Sequence, residues 1–200
     1  MSYLDLLEKE LTRFRIELPS TRKLALAAYC DEVSRWNEKI NLTGLSGIAL
    51  VTRLVAEPVW IAQALELDGS LLDIGSGNGS PAIPFQLVSS FRSCDLVEAR
   101  AKRAVFLRHL AITLKLENLR VHQARFEEAA SGLNSPDWIS LQAVGLTQKL
   151  IESIRLIANP TTRIVWITSD RTVAPQLPLR ASIIVPNTST RAMVFGLDLT

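Results

Sequence analysis

Two hundred residues with a hydrophobic fraction of 48% and a charged fraction of 21% describe a globular protein of about one domain with a full core. The net charge of +2 selects no partner by itself, and no apolar run approaches the roughly 18 residues that a membrane-spanning helix needs. The opening Met1-Ser-Tyr-Leu-Asp-Leu-Leu-Glu8 carries early acids and no basic stretch, so it does not read as a secretory signal.

Apolar positions Leu4, Leu7, Leu11 and Phe14 recur at helical spacing, which predicts an amphipathic helix over 2–17. Ser20 or Thr21 is expected to cap a second helix through Leu24, Ala27, Ala28, Val33 and Trp36, ended by Asn41 and Gly44. A third helical stretch covers 47–65, its regularity limited by Pro58. From residue 70 short apolar runs alternate with amphipathic ones. Strands are expected at 70–74, 93–97, 119–123, 138–141 and 162–168, and helices at 81–89, 100–116, 126–131 and 146–158. This alternation predicts a mainly parallel sheet covered on both faces. The β-rich runs 180–185 and 191–197, separated by Pro186-Asn187, predict a C-terminal hairpin. Leu133–Asp137 and Thr172–Pro178 read as loops. The expected organisation is an N-terminal helical extension over 1–66 packed on a Rossmann-like α/β domain over 67–200.

The strand at 70–74 runs into Asp73-Ile-Gly75-Ser76-Gly77-Asn78-Gly79-Ser80-Pro81. Glycines so spaced after a strand let the backbone turn sharply and approach a ligand, as nucleotide-like cofactors require. Glu98, at the end of the next strand, stands where a carboxylate would accept hydrogen bonds from ribose hydroxyls. The dinucleotide fingerprint places its third glycine three positions after the second. Here it falls two positions after, which favours S-adenosylmethionine over a nicotinamide cofactor.

Other residue types offer less. Cys30 and Cys94 are isolated and lack metal-ligand spacing, so they read as buried thiols of a reducing, cytoplasmic compartment. His109 and His122 form no cluster either, and no metal is expected; His109 reads as a partly exposed helix residue. Charge is unevenly spread. Residues 54–91 carry no Lys or Arg, whereas 92–125 carry eight basic and three acidic side chains. That block suits a nucleic-acid partner, although a solvated helix face bearing Arg100, Lys102, Arg103 and Arg108 accounts for most of it as well.

Four motifs in order carry a resemblance from about Leu24 onward: Trp36-Asn37 with Asn41-Leu42-Thr43, the Asp73–Pro84 glycine-rich run, Lys102-Arg103 before Phe106-Leu107, and Arg125-Phe126-Glu127-Glu128. The chain resembles the RsmG (GidB) family, bacterial methyltransferases that modify a guanine of small-subunit ribosomal RNA at N7. The resemblance implies that Asp73 and the backbone of Gly75, Ser76, Gly77, Asn78, Gly79 and Ser80 serve S-adenosylmethionine. Glu98 would hold its ribose, Phe126 and Glu127 would border its adenine, and Gln142 would stand beside it. Asn41, Arg53, Arg125 and Arg191 are the polar groups implied to position RNA. Structural readings stand beside these: a helix C-cap for Asn41, salt bridges for Arg53 and Arg125, and a core aromatic for Phe126.

The substrate half departs from the family pattern. Arg-His-x-x-Asp-Ser becomes Arg53-Leu54-Val-Ala-Glu57-Pro58, Ser-Arg-Ala becomes Leu141-Gln142-Ala143, Lys-Gly becomes Thr168-Ser169, and a histidine after Arg191 becomes Ala192. The first expectation is thus an S-adenosylmethionine-dependent ribosomal RNA methyltransferase, a monomer acting on small-subunit RNA or the 30S particle. The rivals are a non-catalytic cofactor or RNA binder and a methyltransferase redirected to another acceptor.

Overall fold

A computed structural model describes residues 1–169 and 175–197. Its first third is helical, with α1 (Tyr3–Arg13), α2 (Ser20–Ile40), α3 (Gly47–Val51) and α4 (Glu57–Ala64). A capping box starts α1: Ser2 Oγ accepts the Asp5 amide at 3.2 Å, and the Ser2 amide donates to Asp5 Oδ2 at 2.9 Å. The caps expected for α2 are not formed. Pro19 precedes the helix and Ser20 is already its first helical residue, without a side-chain cap. Asn41 does end α2, in the left-handed region at φ 50°.

Between α3 and α4 the chain makes a single π-helical turn over Thr52–Ala56. Pro58 explains it. Lacking an N–H, Pro58 cannot bond the carbonyl one α-turn back, and the preceding residue bonds one position further, from the Glu57 amide to the Thr52 carbonyl.

Strands and helices then alternate: β1 (Asp68–Ile74), α5 (Ala82–Val88), β2 (Ser90–Val97), α6 (Ala101–Thr113), β3 (Leu119–His122), α7 (Phe126–Ala129), β4 (Trp138–Gln142), α8 (Gln148–Arg155) and β5 (Arg163–Ser169), followed by the hairpin β6 (Leu179–Ile184) and β7 (Thr190–Phe195). They form one seven-stranded sheet in the order β3-β2-β1-β4-β5-β7-β6. β1 to β5 are parallel, and β7 lies antiparallel to both β5 and β6. The expected loop at Thr172–Pro178 begins outside the described residues.

Successive strand side chains face opposite sides of the sheet, so the sheet feeds two cores. Leu71, Cys94, Leu96, Val165 and Ile167 join α1, α2, the α3–α4 stretch, α5 and α6 in one. Leu72, Ile74, Val97, Ile139, Trp166 and Phe195 join α7 and α8 in the other. The N-terminal helices share the first core with the sheet. Sequence order reverses beside β1, where β2 and β4 leave in opposite directions, and ligand crevices in open α/β sheets form at such a point.

Candidate functional site

The loop after β1 lies at that crevice. Gly75, Gly77 and Gly79 hold φ values of 76°, 52° and 94°. A Cβ on Gly75 would stand 2.7 Å from Val144 Cγ2, so strain and contact both require glycine there. The Gly75 and Ser76 amides donate to the Val97 carbonyl at 2.9 and 3.2 Å, tying the loop to the end of β2. Tyr29, fully buried on α2, donates its hydroxyl to the Asn78 carbonyl at 3.1 Å.

Glu98 closes the loop from the other side. One carboxylate oxygen accepts the Gly77 amide at 2.9 Å and the other accepts the Arg100 amide at 2.7 Å. Each oxygen retains a second acceptor site, so Glu98 can still receive a ligand hydroxyl.

Asp73 lies beneath the loop, 1% exposed. The register of β1 on β4 sets it beside Ser140, whose hydroxyl donates to Asp73 Oδ1 at 2.5 Å. Oδ2 is buried without a partner. Burial pushes this carboxyl up to about 7, aided by the charge of Glu98 and opposed by hydrogen bonds from Ser140 and Ser76. Asp73 therefore supports the loop from below and does not line the crevice. Ser140 was not singled out from sequence; a lone serine in an apolar strand gives no signal until its neighbour across the sheet is known.

The crevice has two compartments. The larger, about 740 Å³, is walled by Leu42, Leu45, Arg53, Leu54, the loop residues Gly75–Asn78 and Ser80, Glu98, Gln142 and Trp166. The smaller, about 260 Å³, is lined by Val97, Glu98, Arg125, Phe126, Glu127 and Leu150, and shares Gly75, Glu98, Val144 and Gly145 with the larger. Phe126 is 4% exposed and belongs to the second core while also bordering this annex. Gln142 carries no charge into the larger compartment, and its Oε1 accepts the Ser80 hydroxyl at 3.0 Å.

The four polar groups implied to meet RNA separate. Arg53 lines the main cleft while its Nη1 donates to Glu57 at 3.0 and 3.3 Å, so the salt-bridge reading is fulfilled and the head group remains at the wall. Arg125 borders only the annex and makes no ion pair among the described residues. Asn41 is the C-cap of α2. Its carbonyl accepts Arg103 Nη2 at 3.3 Å, and it is Leu42 that reaches the cleft. Arg191 stands on β7 opposite Thr168 of the cleft wall, on the face of the second core, with its Nε buried without a partner, and does not itself line either compartment.

Arg100 and Arg103, expected on a solvated helix face, both line the main cleft, because α6 begins directly beside the glycine loop. The Trp36-Asn37 motif also acquires a reason. Asn37 Oδ1 accepts the amides of Leu42 and Thr43 at 2.6 and 2.8 Å, which fixes the turn that delivers Leu42 and Leu45 to the wall.

A parallel sheet ending in an antiparallel β7, a glycine loop after β1 and a carboxylate after β2 define an S-adenosylmethionine-dependent methyltransferase fold. Solved structures share it. A MtNAS mutant in complex with S-adenosylmethionine aligns with a TM-score of 0.61 at 16% identity, over 88% of this chain and 76% of that one. The C-terminal domain of precorrin-6Y C5,15-methyltransferase from Rhodobacter capsulatus aligns with a TM-score of 0.52 at 20% identity, over 76% and 90%.

The family model of GidB, rRNA small subunit methyltransferase G, matches residues 22–195, and the chain belongs to that family. Among proteins called ribosomal RNA small subunit methyltransferase G, that of Helicobacter hepaticus is 32% identical, over 69% of this chain and 75% of its own length. That of Wolinella succinogenes is 29% identical, over 82% and 84%. The match with the Geotalea uraniireducens protein, at 33% identity, spans 66% of this chain and 61% of that relative.

Proposed function

We propose that this protein transfers the methyl group of S-adenosylmethionine to N7 of a guanine in small-subunit ribosomal RNA. The observation that carries the reading is the geometry around Glu98. The carboxylate braces the Gly77 amide, keeps acceptor capacity and faces both compartments. A cofactor with its ribose on Glu98 would place adenine between Phe126 and Leu150 in the annex, and its methionine part along Gly75–Ser80 at the head of the main cleft. The residues present fit such a group: backbone free of side chains where contact is close, a carboxylate for hydroxyls and an apolar slot for a ring.

When bound, the cofactor supplies an electrophilic methyl group on a sulfonium. N7 of guanine is a free lone pair, so transfer there removes no proton and needs no general base. The protein's part is alignment. Leu42, Leu45 and Trp166 offer apolar walls to a base, and Arg53, Arg100 and Arg103 offer donors to the phosphates and carbonyl oxygens around it. The substitutions at Leu54, Gln142 and Thr168 remove ionisable side chains without removing any group this chemistry needs. Family membership and the unbridged thiols Cys30 and Cys94 fit a cytoplasmic site of action.

The neutral Gln142 in the cleft favours one rival, a relative that binds cofactor and RNA without transfer. One experiment separates them: transfer of labelled methyl to small subunits that lack the modification. Label mapped to a single guanine is the expected result. Confirmed cofactor binding without label on the RNA would overturn the proposed transfer in favour of a silent or redirected relative.

A further inference from the structure

A second basic surface adjoins the cleft where α2 meets α6. A hollow of about 190 Å³ is lined by Arg35, Trp36, Lys39 and His109. The Trp36 ring packs with its centroid 5.5 Å from that of buried Phe106 and 5.2 Å from that of His109. Glu32 is the acid within the cluster, and it is already engaged. It accepts Arg35 Nη2 at 2.5 and 2.7 Å and lies 2.7 Å from His109 Nε2. Lys39 is exposed and makes no ion pair among the described residues, with the exposed Glu38 as its chain neighbour.

The hollow shares no lining residue with the cleft, but the end of α2 and the start of α6 connect the two. Two residues beyond Lys39, the Asn41 carbonyl accepts a hydrogen bond from Arg103, and Arg103 lines the main compartment together with Arg100. Basic side chains therefore run from the glycine loop through Arg100 and Arg103 to Lys39 and to Arg35, the last paired with Glu32, past a partly exposed indole. A solvated helix face accounts for the charges alone. Trp36 packs in part against the first core, and the part of its indole that stays exposed stands among these cations. Cations along a groove with an aromatic platform are what a single nucleic-acid strand needs: counterions for its phosphates and a π-surface for a base.

We propose that this hollow binds the RNA strand next to the acceptor nucleotide, with Lys39 and Arg35 on the phosphates and Trp36 against a flanking base or ribose. The proposal deepens the methyltransferase reading and rests on it for the identity of the RNA. The site is distinct from the cleft. It holds no reacting atom and acts on affinity alone.

The test compares three proteins: wild type, the double variant Arg35→Gln/Lys39→Gln, and a control double variant Lys149→Gln/Arg155→Gln, which removes two equally exposed charges from α8. Each is assayed for binding to a single-stranded fragment of small-subunit RNA spanning the acceptor guanine, and for methyl transfer to small subunits. The expected result is a KM for subunits raised roughly tenfold by the α2 pair with kcat within about twofold, and a salt dependence of binding shallower by about one unit for each cation removed. The control leaves these unchanged. Trp36→Phe keeps a stacking ring and should bind nearly as wild type, whereas Trp36→Leu should not. An α2 variant no weaker than the control overturns the proposal. Arg35- and Lys39-dependent binding without methyl transfer by the wild type would preserve this site and overturn the catalytic reading. RNA binding absent from the wild type would overturn both.

Discussion

Thr190 on β7 donates its hydroxyl to the Glu57 carboxylate on α4 at 2.7 Å, a buried contact between residues 133 positions apart in the chain. The same hydroxyl accepts from Arg53, which also donates to Glu57. The C-terminal hairpin is thereby tied to α4 and to the π-helical turn before it, which carries a cleft arginine. Burial raises the Glu57 carboxyl, opposed by Thr190 and Arg53.

Thr190→Val keeps the shape and leaves a buried carboxylate with one partner fewer. The expected loss is about 1–3 kcal/mol near neutrality, measured by urea unfolding. The sign follows from the pKa. Without Thr190 the Glu57 carboxyl rises further, so the loss is largest where the unfolded carboxyl is ionised and shrinks as acid protonates Glu57. A loss independent of pH would mean that packing, and not the hydrogen bond, holds the hairpin.

Asp73 makes a separate prediction for the cofactor-free protein. Its carboxyl is raised from 3.8 to about 7, so the folded state keeps a proton that the unfolded chain releases between those values. Its contribution is fully present below the lower value and is lost as pH rises through the upper one, a span worth roughly 4 kcal/mol at most. Asp73→Asn cannot ionise and should flatten stability across that window. Matching pH profiles for variant and wild type would show Asp73 ionised in the fold.

Gly75→Ala should weaken both fold and cofactor binding. At φ 76° a side chain costs about 1–2 kcal/mol, and the new methyl meets Val144. Val144→Ala in the same chain removes the contact but leaves the backbone strain, so calorimetric titration with S-adenosylhomocysteine should show partial recovery. Gly132→Ala, with open space around its Cβ, serves as the neutral comparison.

Glu98→Gln retains one carbonyl oxygen for two backbone amides, those of Gly77 and Arg100. Losing a charged acceptor is worth about 1.5–3 kcal/mol, which predicts binding of S-adenosylhomocysteine weaker by at least roughly tenfold. Unchanged affinity would place the ribose elsewhere.

The sheet was legible because strands buried on both faces read as short apolar runs, and the glycine loop because its spacing has few other uses. What escaped was set across the chain. Asp73 reads as a ligand-contacting acid, but the register with β4 turns it toward Ser140, beneath the loop. Arg191 matches a family position, yet strand alternation aims it at the second core. Arg103 looked like one cation of a wet helix until α2 brought the Asn41 carbonyl to it. Local pattern reports which face a residue shares with its neighbours in sequence. It does not report what another element places opposite.

The family match begins at residue 22 and leaves out α1, yet α1 is joined to the wall of the cleft. Buried Glu10 accepts the hydroxyl of Thr52 at the start of the π-helical turn and the guanidinium of Arg13, while Arg13 also reaches the Asn187 carbonyl between β6 and β7. Helix α1 thus acts as a clamp across two segments that meet again at Arg53, Glu57 and Thr190. A protein trimmed to the matched region would lose this outer brace of the arginine wall and, with Leu7, Leu11 and Phe14, part of the first core beneath the sheet, so the shortened chain should lose stability together with acceptor recognition.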